Sequence, residues 1–308
     1  MPSRAAVLYR LGAAAARAVP APVASLAGQV LSAAVVPLAG DRRGQVERNL
    51  RRLDPTLAGL RLHRAVQATF ANYAAYWVES FRLPGTPADE LAARMSVEGW
   101  EGVEAGRAAG RGVILALPHL GGWEWAGFWV AACQQVPITV VVEALEPPDV
   151  FDWFVGLRES LGMHVVAVGP NVLGGVLAAL RANHVVCLLS DRDLGGGGVE
   201  VDFIGERTTL PAGPATLSLR TGAPILPTAV YVDGRHHRAL IRPPLAIDRQ
   251  GRLRDDVTRT TQVLADELEL LIRRAPEQWH MLQPNWPSDP GHPRHRATSA
   301  PDGAKLYP

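Results

Sequence analysis

The stretch Val113-Ile114-Leu115-Ala116-Leu117-Pro118-His119-Leu120-Gly121-Gly122-Trp123-Glu124 decides how the chain is read. Five apolar residues stand between glycines and a proline, which is the signature of a short strand buried on both faces. A helix-like pattern, Gly122–Cys133, follows at once. The same rhythm then repeats. Ile138–Val142 reads as a strand and Pro148–Leu161 as a helix. His164–Val168 and Val185–Leu189 read as strands around the helix Val172–Arg181. Val199–Phe203 reads as extended, Pro214–Thr221 as a helix, Ile225–Tyr231 and Arg238–Ile241 as strands, and Asp255–Arg274 as a final amphipathic helix. Strands alternating with helices predict an α/β fold with a largely parallel central sheet flanked by helices.

Upstream, residues 4–82 read as helical. Pro55 breaks the pattern, and a long helix is expected from about Leu60 to Phe81. From Met1 to Leu53 eight arginines face only Asp41 and Glu47, and they alternate with apolar segments. This is the composition of amphipathic helices lying on an anionic surface, so residues 1–55 are expected to rest on a membrane; packing of these helices on their own domain is the alternative. The most apolar segment, Val23 to Ala39, contains Gln29 and is broken by Pro37, so no spanning helix is expected. From Pro287 onward the chain is rich in Pro, His, Gly and Ser. One domain is therefore read over residues 1–285, with a disordered tail over 286–308.

The 308 residues are 47% hydrophobic and 20% charged, enough apolar material for a large core, which excludes a disordered chain. A net charge of +1 gives no bulk attraction to nucleic acid, and no nucleic-acid partner is expected. Cys133 and Cys187 have no metal or disulfide spacing, which fits a reducing compartment. No G-x-S-x-G, G-x-G-x-x-G after a strand, or H-E-x-x-H occurs, and neither a metal nor a cofactor is expected.

In open α/β sheets, ligands sit beyond the C-terminal strand ends. His119 stands at such an end, and Glu124 falls in the first turn of the next helix. That spacing predicts a Glu124 hydrogen bond to the imidazole, which would leave the other nitrogen as a general base. The blander alternative is a histidine satisfied by backbone, with Glu124 placed for the helix dipole. Glu143 follows the next strand, and Arg158 lies on the helix after it. Asp191, Asp193 and, further on, Glu200 cluster after Val185–Leu189, beside Arg192 and the Gly195–Gly198 run. Trp123, Trp125, Phe128 and Trp129 are either walls of an apolar groove or ordinary packing of one helix. A histidine base with no flanking serine or cysteine suits direct attack by a substrate hydroxyl on an activated acyl group.

Together these pieces resemble a known family. They are P-H-L-G-G-W-E at 118–124, Glu143 with Arg158-x-x-x-Gly162, D-R-D-L at 191–194, V-D-F-I-G-E at 201–206, P-A-G at 211–213 and R-T-G-A-P-I-L-P at 220–227. The chain resembles the bacterial lipid A late acyltransferases over roughly residues 1–285, and within them the actinobacterial phosphatidylinositol mannoside acyltransferase branch. Glu124 stands where many relatives have Asp. The resemblance implies a peripheral enzyme on the cytoplasmic face of the cell membrane. It would move a fatty acyl chain, often palmitoyl, from acyl-CoA to the 6-hydroxyl of a mannose on a phosphatidylinositol mannoside. It also implies His119 as base and Glu124 as its acidic companion. Arg158 and Glu143 would be substrate-binding, and Asp193, Asp191 or Glu200 would assist the histidine, with Asp193 foremost. Two other functions remain open on the residues: a non-catalytic lipid-binding protein, and a glycosyltransferase using Asp191-Arg192-Asp193.

Overall fold

The computed structural model describes residues 3–20, 23, 40–143, 148–169, 171–193 and 196–292. Helices α1 (Arg4–Ala18), α2 (Gly40–Leu53) and α3 (Gly59–Arg82) come first, then α4 (Ala88–Ala93), β1 (Met95–Glu98) and α5 (Trp100–Ala108). The alternating unit follows as β2 (Val113–Leu117), α6 (Trp123–Trp129), β3 (Ile138–Val142), α7 (Pro148–Glu159), β4 (Met163–Ala167), α8 (Val172–Arg181) and β5 (Val185–Leu189). A hairpin of β6 (Val199–Phe203) and β7 (Glu206–Leu210) interrupts it before α9 (Gly213–Thr221), β8 (Ile225–Asp233), β9 (His236–Ile241) and α10 (Leu253–Arg273). Most of Val23–Ala39 lies outside the described residues, as do residues 293–308 of the expected tail.

Seven strands form one sheet in the order β1-β9-β8-β2-β5-β3-β4, and only the β8–β9 pair is antiparallel. The fold class is thus the expected one. All five residues of β2 are buried, because helices cover both faces. Alternation along the strand sends Ile114 and Ala116 into the core shared with Leu264, Leu268 and Ile272 of α10. Val113, Leu115 and Leu117 face the other side. There, α6 packs Trp125, Phe128 and Trp129 into a core with Ile138 and Met163.

Several local expectations shift. The helix after His119 ends at Trp129 and passes into a π-helical turn, Val130–Gln134. β4 starts one residue earlier than expected, at Met163, which is buried at the first position of the strand. β1, α5 and β7 carry no strong sequence signal. β1 is four residues long at the sheet edge, and alternates half-buried with exposed positions.

The ordered chain also continues past residue 285. Trp286 is fully buried between the Phe203 and Trp279 rings, and its indole N–H donates to the Phe203 carbonyl. Asp289 is buried as well, accepting from Arg52 and Gln45 of α2 and from the backbone of Asn285 and Trp286. A Pro- and Ser-rich composition did not prevent order here, because one tryptophan and one buried carboxylate anchor the segment.

Candidate active site

The site begins with strand register. Leu117 of β2 pairs in parallel with Leu189 of β5, and Ser190 N–H donates to the Leu117 carbonyl. Counting two residues on from each strand end puts His119 opposite Asp191. The contact is made two ways. The His119 backbone N–H donates to Asp191 Oδ2 at 2.9 Å, and the His119 ring Nδ1 lies 2.6 Å from Asp191 Oδ1. The Trp279 indole N–H donates to Oδ2 at 2.8 Å. Asn285 also donates to the Asp191 carbonyl.

Asp191 is fully buried. Burial alone would raise its carboxyl, but the charge and Nδ1 hydrogen bond of His119, with the donors from Trp279 and the His119 backbone, hold it below the ordinary aspartate value. An ionised carboxylate only accepts, so Nδ1 carries the hydrogen and Nε2 is the free nitrogen. The His119 side chain remains partly exposed.

The turn after His119 demands its glycines. Gly121 sits at φ 63°, and a Cβ there would overlap the Val230 carbonyl oxygen. Gly121 N–H donates to the Gln278 carbonyl, Gly122 N–H to Val230, and His280 N–H to the His119 carbonyl. The loop is thus clamped between β8 and the segment after α10.

The carboxylate on His119 is therefore Asp191, which corrects two expectations. Glu124 instead forms an ion pair with Arg158 of α7, and the Tyr76 hydroxyl stands 3.5 Å from the same Glu124 oxygen. Burial, then the Glu124 charge, push the Tyr76 hydroxyl well above its ordinary value. Asp193 shapes the glycine loop, accepting the N–H groups of Gly196 and Gly198. The reason is register: residue 191 meets residue 119, and position 193 lies beyond the last strand-end contact. Glu143 sits at the rim and pairs with Arg192 at 3.0 Å. Glu200 is exposed on β6, opposite Thr209 in the hairpin, and is not part of the cavity wall.

A cavity of about 260 Å³ opens beside His119 and is lined by Glu124, Arg158 and Glu143 among mostly apolar side chains. It runs under α6. Trp123, Phe128 and Trp129 line it, while Trp125 turns away and stacks on His237. Ile138 and Met163, at the starts of β3 and β4, close its far end from the strand termini. Following β3 from Val142 back to Ile138, that is about 13 Å at about 3.3 Å per residue.

Four participants escaped the sequence reading: Tyr76, Trp279, His280 and Asn285. The one signal was the aromatic density of 279–286, two tryptophans and a histidine just after the last helix. His280 is buried at 6% exposure with both ring nitrogens unpartnered, packed near the Tyr73, Tyr76 and Trp123 rings. Burial, then the nearby His119, depress its ring to about 3, so it is neutral.

Comparison with known proteins agrees with this geometry. The profile of the bacterial lipid A biosynthesis acyltransferases matches residues 1–288. A phosphatidylinositol mannoside acyltransferase of Mycolicibacterium smegmatis is 40% identical over 227 residues, 73% of each chain. One from Mycobacterium tuberculosis is 41% identical, over 72% of this chain and 70% of that one. The lipid A biosynthesis palmitoleoyltransferase of Escherichia coli is 23% identical over 84% of this chain and 83% of its own. With a family match along nearly the whole chain, and the His119–Asp191 pair set at the mouth of an apolar cavity, the chain belongs to the bacterial lipid A biosynthesis acyltransferase family and is an enzyme of the acyltransferase class.

Proposed function

We propose that this enzyme transfers a fatty acyl chain, palmitoyl among the candidates, from acyl-CoA to the 6-hydroxyl of a mannose on a phosphatidylinositol mannoside, working at the membrane surface. The observation that carries the reading is the His119–Asp191 pair opening on an apolar channel whose polar groups gather at one end. His119 Nε2 takes the proton of the mannose hydroxyl as that oxygen attacks the thioester carbon. The carbon–sulfur bond breaks, and the imidazolium returns the proton to the leaving thiolate. Asp191 holds the tautomer and balances the imidazolium charge. A thioester is already activated, so a base, positioning and a donor for the developing oxyanion suffice, without a metal. The acyl chain lies along the α6 channel. Arg158, pinned by Glu124, and Glu143 at the rim position the polar parts of donor and acceptor. The names of the relatives support the acceptor, and the arginine-rich N-terminus supports the membrane surface.

The test incubates the purified enzyme with labelled acyl-CoAs of several lengths and a mannosylated inositol lipid extract, with the product identified by mass. His119→Ala is expected to lower transfer by about 10²–10⁴-fold with the circular dichroism spectrum unchanged. Transfer by that variant at the wild-type rate rejects the role of His119. A wild-type enzyme that acylates no mannoside rejects the acceptor.

A further inference from the structure

A second cavity, of about 480 Å³, lies behind the reaction loop. Gly121, Gly122 and Tyr76 bound it on the side of the active site, and Trp125 and His280 also line it. Four arginines reach its wall: Arg17 of α1, Arg82 of α3, Arg94 and Arg235. Its two carboxylates are already matched. Glu79 pairs with Arg94 at 2.6 Å and with His237 at 2.8 Å. Glu90 pairs with Arg94 and stands 4.0 Å from Arg235.

Arg17 and Arg82 are left. Among the described residues neither has a carboxylate within ion-pair distance, and residues 18–40, the chain that follows Arg17, contain no acidic side chain. Both are nevertheless held in place by backbone. Arg17 Nε donates to the Ala13 carbonyl at 3.1 Å, and Arg82 Nη1 donates to the carbonyls of Ala16 and Val19, on either side of Arg17. Two guanidinium groups are thus held by backbone on the wall of one cavity, with no carboxylate paired to either among the described residues. His280, whose two buried ring nitrogens have no hydrogen-bond partner among the described residues, also lines this cavity.

We propose that this cavity is a binding site for a phosphate ester, with Arg17 and Arg82 as its paired anion ligands. Planar guanidinium forks match phosphate oxygens in bidentate fashion, which suits two of them better than a lone carboxylate would. A membrane phospholipid is the favoured source. α1, which carries Arg17, also exposes Val7 and Leu11, at 40% and 61%, one to three turns before it. A lipid surface would meet both the apolar residues and the arginine. The site shares the Gly121–Gly122 turn with the His119 loop but differs from the acyl channel, and the choice of an inositol phosphate as probe rests on the acceptor proposed above.

The test measures equilibrium binding by the full-length protein. The probes are glycerophosphoinositol, free inositol, coenzyme A, and phosphatidylcholine vesicles with or without phosphatidylinositol. Glycerophosphoinositol and the phosphatidylinositol vesicles are expected to bind, and inositol not. Arg17→Gln is expected to weaken binding about tenfold or more, as loss of a charge-assisted hydrogen bond does. Because Arg82 also ties down α1, Arg82→Lys serves as its partner variant, with thermal unfolding checked in parallel. Binding that Arg17→Gln leaves unchanged, or no phosphate binding at all, overturns the site. Arg17-dependent binding of coenzyme A alone overturns the lipid as the source.

Discussion

His119 and Asp191 are 72 residues apart in sequence and 2.6 Å apart in space, so the chemistry of either depends on the other. Asp191→Asn is expected to cost both transfer rate and stability. The sign follows from the depressed carboxyl. A folded value below the unfolded one stabilises the fold above the ordinary aspartate value of about 3.9, and that contribution is lost as pH falls through the folded value. The stability gap between wild type and Asp191→Asn, measured by urea unfolding, should therefore be full at pH 7 and narrow below about pH 4. His280 acts in the same direction over a higher pH range. Its ring is held neutral down to about 3, whereas the unfolded chain takes up the proton near 6.5. Stability should fall between those two values as pH drops. His280→Phe, which keeps a ring among Tyr73, Tyr76 and Trp123, should flatten that limb of the unfolding curve. An unchanged limb would show that His280 is not the buried neutral group described.

At the scale of elements, the turn between β2 and α6 carries the most constraint. Gly121 has both a left-handed backbone and no room for a Cβ against the Val230 carbonyl. Gly121→Ala should destabilise the protein by more than about 1 kcal/mol, since strain and steric overlap act together. It should also lower transfer, because the same turn aims His119. Equal stability of the two proteins by calorimetry would contradict this account of the loop. The strand segments themselves were legible. Val113–Leu117, Ile138–Val142 and Val185–Leu189 stand where their apolar runs place them, since continuous Val, Ile and Leu between breakers is what a doubly covered strand requires. β1 was not legible, being short and half-exposed at an edge, where side-chain pattern says little.

For the whole molecule, the segment beyond α10 closes the fold. Trp279 and Asn285 reach Asp191, Trp286 fills the space beside Phe203, and Asp289 joins the arginines of α2. Deleting residues 286–308 is expected to cost at least the loss of a fully buried tryptophan, about 3–5 kcal/mol, and to lower the unfolding midpoint accordingly. A truncated protein as stable as the full chain would return this segment to the status of a loose tail. The burial of Asp191 also depends on this closure, so the truncated protein should lose transfer more steeply than it loses helix content.

The sequence by itself determined the α/β alternation, the strand ends that carry His119, Glu143 and Asp191, and the family. These are local properties, written in apolar periodicity, in breakers and in short motifs. Only the tertiary structure decided which acid faces the imidazole. That choice depends on β2 lying beside β5 in a register where Leu117 meets Leu189, and on a C-terminal tryptophan arriving to bury the pair. Pairing between distant strands is set by packing of the whole sheet, and spacing along one segment carries no record of it.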